Sequence, residues 1–225
     1  GRFMLNRFVD KTQVSVVGSA NNVNDQGFSG GGGPPRWRRN NGLTATKMLG
    51  VNFATQTDKL ELGGSARYNY QDGDIASIGS TEDFLPDGNS YSNSNSRQRN
   101  KAKNFNADFR MEWKPDSMTN IIFRPNFSYG KTDNLSNSES GTFNSDPYSL
   151  VSDPNNWLNL EKILNPDDDP LRSIRINAIN SGSLNDNKSV SMDATLQLNR
   201  KLNDKGRNVT FRGRFGYTNN DNNQY

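Results

Sequence analysis

Apolar side chains recur at every second position along much of this chain, the period of an extended strand whose two faces meet different surroundings. The pattern is clearest from Asn104 to Trp113, where Phe105, Ala107, Phe109, Met111 and Trp113 fall on one face and Asn106, Asp108, Arg110 and Glu112 on the other. The following run repeats it, with Ile121, Phe123, Pro125, Phe127 and Tyr129 alternating with Ile122, Arg124, Asn126 and Ser128. Between them lies Lys114-Pro115-Asp116-Ser117-Met118-Thr119, whose proline and aspartate favour a turn. The two runs predict a β-hairpin.

Three further pairs follow the same rule. Val190, Met192, Ala194, Leu196 and Leu198 alternate with Ser191, Asp193, Thr195, Gln197 and Asn199. A turn at Asn203-Asp204-Lys205-Gly206 then leads to Val209, Phe211, Gly213, Phe215 and Tyr217, which alternate with Thr210, Arg212, Arg214 and Gly216. Ala45 to Thr55 and Leu60 to Gln71 pair through Gln56-Thr57-Asp58-Lys59, with Leu60, Leu62, Gly64, Ala66, Tyr68 and Tyr70 sharing a face. A weaker pair carries Phe3, Leu5 and Val9, then Val14, Val16 and Gly18, and turns near Asp10-Lys11. The expectation is eight strands in four hairpins.

The links between hairpins, Asn21 to Gly42, Asp72 to Lys103 and Lys131 to Lys188, read as long loops rich in Asn, Ser, Gly and Asp, whereas the turns near Asp10, Asp58, Asp116 and Asp204 are short. Short turns facing the periplasm and long loops facing outside are the pattern of a bacterial outer-membrane barrel. A soluble sandwich does not require that asymmetry. The predicted fold is therefore all-β: a segment of an antiparallel up-and-down transmembrane β-barrel with long extracellular loops. A strand of about ten residues tilted near 40° covers roughly 25 Å, the height of such a barrel's apolar band. On this reading Phe105, Phe109, Met111, Trp113, Phe123, Phe127, Tyr129, Leu196, Phe211 and Phe215 face lipid. Asp108, Arg110, Glu112, Arg124, Asp193, Arg212 and Arg214 face the lumen, as an ion-paired wall rather than as substrate ligands.

Composition agrees with that architecture. Of the 225 residues only 31% are hydrophobic, and the mean hydropathy is −0.93, which is poor material for an ordinary globular core. A disordered chain would combine few aromatics with high net charge, but here aromatics make up 10% and the formal charge is +3. No run reaches the roughly 18 to 20 apolar residues of a membrane-crossing helix. Alternating strands never build one. The opening Gly1-Arg2-Phe3-Met4-Leu5-Asn6 does not read as a signal peptide.

Cysteine and histidine are both absent. That removes disulfides, thiolate metal ligands, the commonest nitrogen ligand and the usual general base near neutral pH. No catalytic residue, resident metal or cofactor is expected.

Four runs resemble the barrel region of TonB-dependent-receptor-like outer-membrane proteins of Gram-negative bacteria. They are Asn6-Arg7-Phe8-Val9-Asp10-Lys11, Tyr91-Ser92-Asn93-Ser94-Asn95-Ser96-Arg97, Trp113-Lys114-Pro115-Asp116-Ser117-Met118 and Ile122-Phe123-Arg124-Pro125-Asn126-Phe127-Ser128-Tyr129. The resemblance covers most of the chain. It implies a barrel of about 22 strands, of which this chain carries a part, filled by an N-terminal plug domain. It also implies nutrient import energised through the inner-membrane protein TonB. The expected partners are outer-membrane lipid, the plug and TonB, reached through parts of the protein outside this chain. Two other readings stay open: a barrel with a structural or adhesive role, and a soluble β-rich protein that binds glycans at the cell surface.

Some local features invite other chemistry. Gly30-Gly31-Gly32-Gly33-Pro34-Pro35 lacks the Gly-Lys-Ser/Thr of a phosphate loop and reads as a flexible link. Arg36-Trp37-Arg38-Arg39 reads as a basic loop stem at a membrane surface rather than a nucleic-acid site. Asp167-Asp168-Asp169 with Asp153 lacks the spacing of a calcium loop. Asn155 to Leu164 predicts a short amphipathic helix in the longest link, packed over the barrel mouth.

Overall fold

The computed structural model describes residues 1–22, 43–86, 88–165, 168–203 and 206–225. The runs Gly30–Pro35 and Arg36–Arg39, together with Asp167, Asp204 and Lys205, lie outside the described residues. Eight strands form one antiparallel sheet in which each strand pairs only with its sequence neighbours: β1 (Arg2–Val9), β2 (Thr12–Asn21), β3 (Leu43–Gln56), β4 (Leu60–Asp83), β5 (Ser90–Trp113), β6 (Thr119–Phe143), β7 (Arg175–Lys201) and β8 (Asn208–Gln224). β1 and β8 are its two edges.

The hairpins close where the turn residues stand. Val9 pairs with Thr12, leaving a two-residue turn in which Asp10 takes φ 49°. Aspartate tolerates that left-handed backbone because its short side chain can bond locally. At the β5–β6 turn the Asp116 carboxylate accepts from the Met118 amide at 2.8 Å and the Thr119 hydroxyl at 3.1 Å. These two donors, the backbone amide foremost, hold its pKa below the usual carboxylate range. Gly206, with φ 87°, turns the chain ahead of β8.

Two of the three links expected to be long are strand over much of their length. β4 runs to Asp83 and β5 starts at Ser90, so the segment from Asp72 to Lys103 shrinks to a connection over 84–89. β6 runs to Phe143 and β7 starts at Arg175, which reduces the third link to 144–174. Period two persists in these extensions, but in polar residues: Ser90, Ser92, Ser94 and Ser96 alternate with Tyr91, Asn93, Asn95 and Arg97. With both faces polar, the ladder continues after the apolar signal stops.

Segment 144–174 folds into a compact cap. It holds 3-10 turns at Pro147–Ser149 and Pro154–Trp157 and a helix α1 (Leu160–Leu164). The single helix expected from Asn155 to Leu164 is thus broken in two. Asp153 caps the first turn by accepting from the Asn155 amide, and Asn159 starts a second helix by accepting from the Lys162 amide.

Among the described residues the buried apolar side chains are Phe143, Leu158 and Leu171 together with Pro147 and Pro154, all in or under the cap, with Tyr91, Val151, Trp157 and Ile174 packed around the first three. Among the described residues the broad sheet has no second layer and no core of its own. Packing on it is lateral, as at Gly64, which pairs with Phe53 on one side and Phe109 on the other. The rings of those two residues stack over it at 6.0 Å and 29°. A Cβ at Gly64 would meet the Asp108 carbonyl oxygen at 2.7 Å and the Phe53 ring at 2.9 Å. Gly64→Ala should therefore cost about 1–3 kcal/mol in a denaturant titration of the folded protein. Gly63→Ala, whose added Cβ meets nothing closer than 3.8 Å, should stay within about 0.5 kcal/mol.

Candidate functional site

Register decides what the sheet presents, because directly opposed residues on neighbouring strands share a face. One lateral row crosses all eight strands through Leu5, Val16, Val51, Ala66, Ala107, Phe127, Met192 and Tyr217, without a polar side chain except the tyrosine hydroxyl. The adjacent row, one residue along, reads Asn6, Ser15, Asn52, Ser65, Asp108, Asn126, Asp193 and Gly216. It has no apolar side chain. The two rows point to opposite faces.

The residues singled out from the sequence segregate the same way. Trp113 pairs with Ile121, Ile121 with Leu198 and Leu198 with Phe211; Met111 pairs with Phe123 and Phe123 with Leu196; Phe105 pairs with Tyr129; Phe215 pairs with Ala194. With Phe109 and Phe127 on the same parity of β5 and β6, all ten lie on the apolar face. That face is open: Phe211 and Phe215 are 59% and 60% exposed, and Trp113 and Leu196 remain above 40%. The Phe105 and Phe127 rings meet edge-tilted at 6.0 Å and 55°.

Asp108, Arg110, Glu112, Arg124, Asp193, Arg212 and Arg214 all lie on the polar face. There Glu112 collects Arg110 at 2.9 Å, Lys114 at 3.2 Å and the Asn120 amide at 3.3 Å. Asp108 accepts from the Ser65 hydroxyl. Arg214 reaches Asp193 at 3.5 Å. Arg124 and Arg212 make no ion pair among the described residues. The polar face is thus partly ion-paired, and no group of three or more metal-ligating side chains gathers among the described residues.

Past Tyr70 and Phe105 the apolar face turns charged. Arg97 bonds Asp74 through two nitrogens at 3.0 and 2.7 Å, and this guanidinium holds the Asp74 carboxyl below its usual range. Arg99 reaches Asp72 at 3.4 Å.

The cap sits beyond these rows and on the same face. Asn155 is buried against β5: it accepts from the Asn93 amide at 2.8 Å and donates to the Ser94 carbonyl at 2.9 Å and to Asn95 Oδ1 at 3.0 Å. Tyr91, Asn93 and Asn95 share the parity of Phe105, so the cap leans on the wall that continues the apolar face. The sequence leads one to expect this segment over a barrel mouth; among the described residues its contacts are with this wall. The sequence shows an amphipathic segment but not which strand will receive it. Inside the cap, Asp153 and Asp169 have local partners. Asp153 accepts from Asn155 and Asn156. Asp169 accepts from the Leu171 amide at 3.0 Å and forms an ion pair with Arg175 in which both side chains are nearly inaccessible, at 1% and 9%.

No helix among the described residues is long and apolar enough to cross a membrane. No protein-family model and no curated protein matches the chain.

Removing one partner of a buried ion pair leaves an uncompensated charge. Asp169→Ala should therefore weaken the cap locally by about 3–5 kcal/mol. Hydrogen exchange should speed up in 144–174 while the amides of β5 and β6 near Phe105 and Phe127 keep their protection. Unchanged exchange in the cap would show that the pair does not hold it.

Proposed function

We propose that the chain is part of a β-barrel of the bacterial outer membrane that imports a nutrient, energised through TonB. One observation carries the membrane part of this reading: a wide apolar face crosses eight strands, broken by Arg7 on the edge strand β1 and without a covering layer among the described residues, and it is backed by a face that is polar over most of β4 to β8. In water such a face would leave aromatic and aliphatic side chains solvated as one contiguous apolar patch, which soluble monomers rarely expose. In a bilayer it meets hydrocarbon while the polar face lines an aqueous interior. The edges point the same way. Among the described residues β1 and β8 each offer a row of backbone groups without a strand partner, which lipid cannot satisfy and which further strands of a closed barrel would.

Energised import rests on the resemblance of the four sequence runs to TonB-dependent receptors, and the ion-paired polar wall suits contact with a plug or with lumen water. The reading gives the chain no catalytic role. If the full-length protein works this way, photo-crosslinking in cells should join it to TonB. A folded barrel that never crosslinks would leave a structural or adhesive barrel in its place.

The membrane reading has its own test. Phe109 stands midway along the apolar run of β5, and Asp108 is its neighbour on the opposite face. In a reversible denaturant titration of the full-length protein in lipid vesicles, Phe109→Arg should destabilise by roughly 2–4 kcal/mol and Asp108→Arg by clearly less. A greater loss at Asp108 would mean that the faces are reversed and would remove the support for a lipid-facing wall.

A further inference from the structure

Where the apolar face ends, its next lateral row is cationic. The row reads Lys47 on β3, Tyr70 on β4, Lys103 on β5, Lys131 on β6 and Lys188 on β7, each pairing with the next across the ladder. It lies two residues, roughly 7 Å, past the row of Leu49, Tyr68, Phe105, Tyr129 and Val190. At the same level the opposite face carries Gln71, Ala102, Thr132 and Asn187, none charged. At the turn end of the apolar face the corresponding row, Thr119, Arg200 and Val209, offers one cation. The four row lysines therefore share one face and one end of it, whereas Lys11, Lys59, Lys114 and Lys201 at the other end stand in or beside the turns and form no lateral row.

Three of them stand directly opposite one another on consecutive strands, an arrangement that costs stability unless an anion intervenes. The protein's own acids answer only part of this charge. Lys131 meets Asp133 and Asp186, each at 3.4 Å. Lys47 stands 5.9 Å from the centre of the Tyr70 ring. Asp221 opposes Lys188 in the β7–β8 register, but their side chains form no ion pair. Asp72, in the row beyond, is taken by Arg99. Lys103 and Lys188 make no ion pair among the described residues.

We propose that this row binds the phosphate groups of lipid headgroups, fixing the barrel's depth in the leaflet on the side of the strand extensions. The inference rests on the membrane reading above and adds a ligand to it. Lysine is well suited to such a boundary, because its aliphatic stem lies along the last apolar row while the ammonium reaches the headgroup level. Tyr68, Tyr70 and Tyr129 occupy the same boundary, where tyrosine settles with its ring in hydrocarbon and its hydroxyl in water. Neighbouring strands stand about 4.8 Å apart, so two lysines on adjacent strands can share one phosphate.

The test uses the full-length protein folded into phosphatidylcholine vesicles with a trace of spin-labelled phosphatidic acid or spin-labelled phosphatidylcholine. The fraction of label immobilised at the protein surface is read by electron paramagnetic resonance. The wild-type protein should prefer the phosphatidic acid by about fivefold or more, less so at high salt. The triple variant Lys103→Gln, Lys131→Gln, Lys188→Gln should lose most of that preference. A charge-matched triple on the polar face, Arg67→Gln, Arg124→Gln, Arg212→Gln, should keep it. If the lysine triple fails to fold, Lys103→Gln alone, which breaks no ion pair, should still lower the preference. Insertion with an undiminished preference in the lysine variants, or an equal loss in the polar-face triple, would overturn the phosphate site and leave the barrel standing. Failure of the wild-type protein to insert into the vesicles would overturn both.

Discussion

Every other property of this sheet depends on the hydrogen-bonded register between neighbouring strands. Strand side chains alternate with a period of two, so a slip of one residue at any ladder would carry charges such as Asp108 or Asp193 into the apolar rows and aromatics into the polar ones. Turns that close tightly at Asp10, Asp116 and Gly206 limit such slips from one end. The result is a row without a polar residue beyond one tyrosine beside a row without an apolar residue, each crossing eight strands.

The two ends of the long strands are stabilised by different means. Between Trp113 and Phe105 no other described layer packs on the sheet, and aromatic contacts across the ladder, such as Phe53 over Gly64 onto Phe109, supply side-chain packing. Beyond Phe105 the strands run on through polar residues, held by the backbone ladder and by pairs such as Arg97 with Asp74. The one cluster of fully buried apolar side chains among the described residues belongs to the cap, where Phe143, Leu158 and Leu171 meet. The cap is tied to its wall by Asn155 and locked by Asp169 with Arg175. Its stability is local and need not follow that of the rest of the sheet.

Charge follows the same geometry. On the polar face it is distributed along β4 to β8 and partly neutralised, notably at Glu112, while Arg124 and Arg212 have no acidic partner among the described residues. On the other face the band carries one charge, Arg7 on the edge strand β1, and charge returns in number at the lysine row. From β3 to β7 a wall of this kind passes from a band without charge to a row rich in it over two residues of strand, the scale on which a membrane changes from hydrocarbon to headgroup.

Local features were legible in the chain alone. Alternation marked the apolar runs of all eight strands, proline, aspartate and glycine marked the turns, and the parity of each strand sorted Phe105, Phe109 and Phe211 from Asp108, Arg110 and Arg212, because side-chain alternation is a property of single strands. The polar extensions of β4 to β7 were missed: once both faces are polar, apolar periodicity vanishes although the backbone still pairs, and only the spacing of Ser90, Ser92, Ser94 and Ser96 hints at it. Which residues stand side by side was settled by the assembled sheet. Lys47, Lys103, Lys131 and Lys188 are separated by 28 to 57 positions in the chain and form one row because four ladders align them. Likewise the amphipathic cap could have packed on either face until Asn155 found Asn93 and Asn95, since its own sequence specifies an apolar side but not the surface that covers it.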